Sequence, residues 1–148
     1  MRVYTLGTAQ RKSYDFTRIL YKYGIQVLFD IRANPETPEE HFCRGPLEQL
    51  CSTNGINYVY LGNELGHALS GRQPAAAEWL KNETVQQRIA LIAQKVPLRV
   101  CCILCTELTP ERCHRRLIGE QLARQGIEVV HLLSENSVWQ PRPPRPRR

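Results

Sequence analysis

Two short runs, Ile25 to Ile31 and Leu98 to Cys105, are almost unbroken in apolar residues, and segments of helical periodicity flank each of them. A strand with one wet face alternates polar and apolar residues, so runs like these are expected where a sheet is covered on both faces. That constraint points to a parallel sheet between two helical layers.

The remaining elements follow from periodicity and punctuation. Val3 to Leu6 reads as a first strand, and Ser13 as the N-cap of a helix carrying Phe16, Ile19, Leu20 and Tyr23, stopped at Gly24. Ala33 to Gly45 reads as a loop with a turn of helix near Glu39 to Phe42. A helix with Pro46 at N1 runs to about Thr53, and a strand at Ile56 to Leu61 leads into a loop, Gly62 to His67. Pro74 to Leu80 and Thr84 to Lys95 are predicted helices, Pro110 to Gln125 is another between Thr109 and Gly126, and Ile127 to Leu133 is a fifth strand. The expected fold class is therefore α/β: a three-layer, Rossmann-like sandwich, its mainly parallel sheet of about five strands bearing helices on both faces.

Residues 1–135 are expected to form a single α/β domain, with residues 136–148 as a flexible Pro/Arg-rich C-terminal tail. The net charge is +6, but Pro141 to Arg148 carry four arginines and no acid, leaving about +2 on the body. No apolar stretch is long enough to span a membrane, and the opening Met1 to Gly7 lacks the apolar core of a signal peptide. The expectation is a cytoplasmic protein with reduced thiols, Cys101 and Cys102 filling the core.

In a parallel sheet, ligands bind beyond the carboxyl ends of the strands, where the strand order reverses. That edge collects Thr8, Asp30, Arg32, Glu64 and the segment Cys105 to Arg115. Cys105, Glu107, Cys113, His114 and Arg115 place thiol, carboxylate, imidazole and guanidinium groups between a strand end and a helix start. At 100° per residue His114 falls on the sheet-facing arc with Leu117, Ile118, Gln121 and Leu122, while Arg112, Arg116 and Ala123 point to solvent. A helix start favours an anion and stabilises a thiolate.

Plainer readings stand beside these. The cysteines can be packed thiols, His114 a hydrogen-bonded structural histidine, and Glu107 with Arg115 a pair that fixes the loop. The loop after Cys105 has no glycine and the spacing to Arg112 is one residue too long for a cysteine phosphatase. The pairing that a structural zinc site needs is missing, so no metal ligands are assigned.

Tyr4-Thr5-Leu6-Gly7-Thr8, Asp30-Ile31-Arg32, Glu64-Leu65-Gly66 and Cys105-x-Glu107-x-x-Pro110-x-x-Cys113-His114-Arg115 together resemble the family known as domain of unknown function 488, over about residues 3 to 133. The resemblance implies an α/β sandwich with these residues as a shared polar cluster, and no settled reaction. Thr8 stands where that family usually has His, His67 where a second Gly is usual, and the loop after Arg32 is shortened.

Two functional expectations result. One is a Cys/His/Glu-dependent hydrolase or transferase acting on a small anionic, phosphorylated or nucleotide-like ligand. Cys105, Glu107, His114, Cys113 and Asp30 are its candidate catalytic groups, and Arg32, Arg115, Thr8 and Glu64 its candidate substrate contacts. The other is a non-catalytic nucleotide or nucleic-acid binding module whose arginine tail attracts phosphates. The sequence leaves cofactor and oligomeric state open.

Overall fold

The computed structural model of the protein describes residues 1–9, 11–36, 39–66, 78–106 and 115–140. Its strands are β1 (Arg2–Gly7), β2 (Val27–Asp30), β3 (Asn57–Tyr60), β4 (Cys101–Cys105), β5 (Glu128–Ser134) and β6 (Ser137–Trp139). Its helices are α1 (Ser13–Lys22), α2 (Arg44–Thr53), α3 (Gly62–Leu65), α4 (Glu83–Lys95) and α5 (Arg115–Arg124), with a 3-10 turn at Glu40–Phe42. One sheet holds the strands in the order β3-β2-β4-β1-β5-β6, all parallel except β6.

Strand alternation sorts the core into two layers. Phe16, Ile19 and Leu20 of α1, with Leu47 and Cys51 of α2, pack on Leu6, Leu28, Cys102, Leu104 and Leu132. Val85, Ile89 and Ile92 of α4, with Ile118 and Leu122 of α5, pack on Val3, Phe29, Ile103 and Val129 from the opposite face. Each such side chain, removed from water, contributes roughly 1.5–3 kcal/mol before entropy is counted.

Local chemistry sets the boundaries. Gly24, Gly55 and Gly126, at φ of +64°, +70° and +86°, end α1, α2 and α5 in the left-handed region that glycine enters without strain. Asn82 caps α4 by accepting from the backbone N–H groups of Thr84 and Val85. Ser13 proves to be the first helical residue rather than the cap: Lys12 occupies the cap position, and the Ser13 carbonyl accepts from the Thr17 hydroxyl. Pro46 is the third residue of α2, which starts at Arg44. Gly62 to Leu65, expected as loop, forms a helical turn. Of the helix expected at Pro74 to Leu80, residues 74–77 lie outside the described residues and 78–81 are helical.

The tail boundary needs correction. Residues 137–139 add a sixth, antiparallel strand to β5, and Trp139 stacks on His131 with ring centroids 5.1 Å apart. A tight turn at Glu135-Asn136 reverses the chain, a local event that the proline-rich composition beyond it concealed. Ala123, expected to face solvent, is instead half-buried against the α4/α5 layer, since a residue this small fits at the margin of the packed face.

Candidate functional site

From β1 the chain moves to β2 and then to β3 at one border of the sheet; from β3 it returns to β4 and then crosses to β5. The connections after β2 and β4 therefore leave adjacent strands in opposite directions, which opens a crevice at their carboxyl ends. Backbone pairing carries the convergence past the strand ends. The Thr8 N–H donates to the Cys105 carbonyl at 2.9 Å, Ala9 N–H to Thr106 at 2.8 Å, and Ile31 N–H to Leu104 at 3.0 Å. Thr8, Asp30 and the Cys105-Thr106 pair, far apart in sequence, thus share one rim.

Two of these positions form a buried ion pair. Arg32 Nε donates to Asp30 Oδ1 at 2.9 Å and Nη2 to Oδ2 at 2.8 Å, while Nη1 donates to the Phe42 carbonyl at 2.7 Å. Tyr58 adds a short bond of 2.5 Å from its hydroxyl to Asp30 Oδ2, and the Tyr60 hydroxyl donates to the Arg32 carbonyl at 2.7 Å. Burial alone would lower the Arg32 pKa, but the hydrogen bonds and charge of Asp30 carry it above its ordinary value. Tyr58 is held well above the usual phenol range, first by burial and then by the Asp30 carboxylate. Arg32, expected to hold a substrate oxygen, here spends its guanidinium on Asp30 and Phe42 at 1 % exposure, and Asp30 is fully buried.

Glycines bring the next loop onto this pair. A Cβ on Gly62 would lie 2.0 Å from the Arg32 carbonyl oxygen, and one on Gly66 2.4 Å from the Ala33 backbone. The Gly62 to Gly66 segment therefore rests directly on the chain after β2. Glu64, within it, accepts from Arg88 Nη2 at 3.3 Å and is partly exposed.

Side-chain alternation divides the rim. Cys105 belongs to the α4/α5 layer, whereas the Asp30–Arg32 pair contacts Phe42 and Tyr58 of the α1/α2 layer. The two share an edge and lie on opposite faces of the sheet. Cys105 is also disulfide-bonded, which corrects the expectation of a reduced thiol there; Cys43, Cys51, Cys101 and Cys102 form no disulfide. Compartment-level reasoning about cysteines does not see which sulfurs a fold brings within reach.

Glu107, Cys113 and His114 lie outside the described residues, and Arg115 is placed by its backbone as the first residue of α5. The inward orientation expected of His114 and the roles of Glu107 and Cys113 are therefore carried by the sequence pattern alone. Among the described residues, no group of three His, Cys, Asp or Glu side chains is arranged to hold a metal ion. None of their helices is long and apolar enough to cross a membrane.

Sequence reasoning passed over Arg11 and Tyr58. Arg11 sits in the turn after β1, is 9 % exposed, and donates to the carbonyls of Gly7 at 2.6 Å and Leu133 at 2.8 Å. Its signal was present: an arginine two residues before a helix and four after a strand that ends at the expected ligand edge. Tyr58 lies opposite Leu28 in the β2–β3 register, two pairs before Asp30 and on the same face, so only the pairing places its hydroxyl at the carboxylate. An open groove of about 1080 Å³ lies between α1 and the C-terminal end of α2, lined in part by Tyr14, Arg18, Tyr21, Gln26 and Asn54. It holds none of the candidate residues.

A family model described as Domain of unknown function DUF488 matches residues 12–122. No curated protein and no solved structure matches the chain.

Proposed function

This chain belongs to the DUF488 family, and from that premise we propose that it is an enzyme acting on a phosphorylated or nucleotide-like substrate at the carboxyl rim of its sheet. The observation carrying this reading is the rim itself: three parallel strand ends, held by the Thr8–Cys105, Ala9–Thr106 and Ile31–Leu104 pairings, meet where the strand order reverses.

In this reading Arg115 holds anionic oxygens, Glu107 serves as general acid or base, and His114 moves a proton or attacks, as Cys113 does when it is a free thiolate. Cys105 joins as a nucleophile only once its disulfide is reduced, because the thiolate is the reactive form. The Asp30–Arg32 pair acts from beneath, fixing the loop after β2 against Tyr58 and Phe42. The test is to assay nucleotides and phosphomonoesters for binding and for product by phosphorus NMR, with the Glu107→Gln and His114→Gln chains alongside. Loss of turnover in each supports the assignment, and survival of binding and turnover in both overturns it.

The charge distribution favours a second reading, nucleic-acid attraction by the four arginines of residues 141–148. The deletion that tests it begins at residue 141, because one beginning at 137 also removes β6. Affinity for DNA or RNA that vanishes with that deletion and is indifferent to Arg115 assigns binding to the tail.

A further inference from the structure

The turn that follows β1 contains two groups whose bonding is incomplete. Arg11 is a buried cation with no carboxylate at ion-pair distance among the described residues, and its two bonds, to Gly7 O and Leu133 O, use two of five donors. Thr8 is fully buried and its Oγ1 has no hydrogen-bond partner. The two residues are joined across the turn, Arg11 N–H donating to the Thr8 carbonyl at 3.3 Å.

Each condition is unfavourable by itself. A buried charge without a counter-ion and a buried hydroxyl without a partner both give up hydration that nothing replaces. A stapling role for Arg11 accounts for Nε and Nη2, which tie the ends of β1 and β5, and leaves Nη1 as an accessible donor rather than a buried orphan. It does not account for the Thr8 hydroxyl at all, where valine would fill the same space without the penalty. Burial draws the Arg11 pKa below its ordinary value, and the opposing electrostatic influence of Cys102 and of Asp15, in the first turn of α1, does not make up for it. Lys12 is exposed beside Arg11, and its side chain does not cap α1, which leaves the first-turn N–H groups of that ten-residue helix open to an acceptor.

One ligand chemistry completes both groups: a tetrahedral oxyanion, accepting from the Thr8 hydroxyl and the free edge of the guanidinium. We propose that Thr8 and Arg11 form an oxyanion site for a phosphate group at the carboxyl end of β1. The site supplies the phosphate contact that the enzymatic reading requires, and rests on that reading only for the class of ligand.

The experiment is titration of the full chain with inorganic phosphate, followed by amide and arginine-side-chain NMR shifts against a chloride control of equal ionic strength. Saturable shifts at Thr8, Ala9, Arg11 and Ser13 are expected. Thr8→Val is expected to weaken phosphate by about tenfold while the unfolding midpoint holds or rises, since a buried unsatisfied hydroxyl is removed. Arg11→Gln is expected to abolish binding. If that variant does not fold, Thr8→Val decides, because it leaves the Arg11 bonds in place. Absence of saturable shifts at the turn, or phosphate affinity unchanged in Thr8→Val, overturns the proposal. Adenosine monophosphate binding more tightly than phosphate assigns the site to a phosphorylated ligand, and equal affinity assigns it to the free ion; both uphold the oxyanion site. Glu107→Gln and His114→Gln are expected to bind phosphate as the parent does, so failure of the catalytic assignment and failure of this site read out separately.

Discussion

Replacing Asp30 with asparagine removes one charge from a pair that has almost no access to water. The carboxylate accepts four hydrogen bonds: from Arg32 N–H at 3.1 Å, Arg32 Nε at 2.9 Å, Arg32 Nη2 at 2.8 Å and the Tyr58 hydroxyl at 2.5 Å. The asparagine oxygen can keep the first two, but its NH2 group then faces two other donors. Arg32, at 1 % exposure, is left charged, buried and without a counter-ion. Loss of one partner from such a pair costs about 3–5 kcal/mol, a large share of the roughly 5–15 kcal/mol typical of a whole domain. For a chain of this size that corresponds to a midpoint lowered by roughly 10–15 °C. Urea unfolding followed by far-UV circular dichroism measures it, with Arg32→Met and the double variant completing a cycle. The double variant is expected to be more stable than Asp30→Asn alone, because it leaves no orphaned charge. An Asp30→Asn cost below about 1 kcal/mol, or strictly additive losses, would refute the reasoning.

Three further outcomes follow from the same geometry. Gly62→Ala, which drives a methyl into the Arg32 carbonyl, is expected to cost about 3 kcal/mol or more in the same urea assay, whereas Gly45→Ala, with open space around it, stays within about 0.5 kcal/mol. Alkaline pH is expected to destabilise the fold. Burial first, then nearby negative charge, pushes Cys51 from 9.0 to about 12, and burial pushes Cys101 from 9.0 to about 11. Both thiols ionise earlier when unfolded, so stability is fully present below pH 9 and declines above it by roughly 1.4 kcal/mol per pH unit for each thiol until its folded pKa is reached. Urea midpoints measured across that window check this, and Cys51→Ala should flatten the decline. Trp139→Ala is expected to lower stability by about 1–3 kcal/mol, read by thermal unfolding, while a chain ending at residue 140 keeps the parent midpoint.

The layered fold was legible because its signals are local. Unbroken apolar runs marked β2 and β4, helical spacing marked α1 and α4, and Gly24, Gly55 and Gly126 stopped three helices where the pattern ended. Parallel pairing and helices on both faces then followed from crossover rules. The site was legible only as an edge. Asp30 and Arg32 were identified by position, but their mutual burial depends on Tyr58, Phe42 and Gly62, which enter from other segments. Arg11 was missed because an arginine before a helix reads as solvated until the ends of β1 and β5 are known to meet there. β6 was missed because three residues of strand carry too little pattern beside a proline-rich stretch.

The placement of Cys105 and Asp30 in different layers sets a size requirement on whatever occupies the rim. A lone phosphate ion reaches one layer and leaves the other dry. A molecule that touches both must lie astride the strand ends, from one helical layer toward the other. Such a molecule would carry its charged group over Thr8 and Arg11 and extend across the adjoining tip of β4, whose Cys105 carbonyl accepts from the Thr8 N–H.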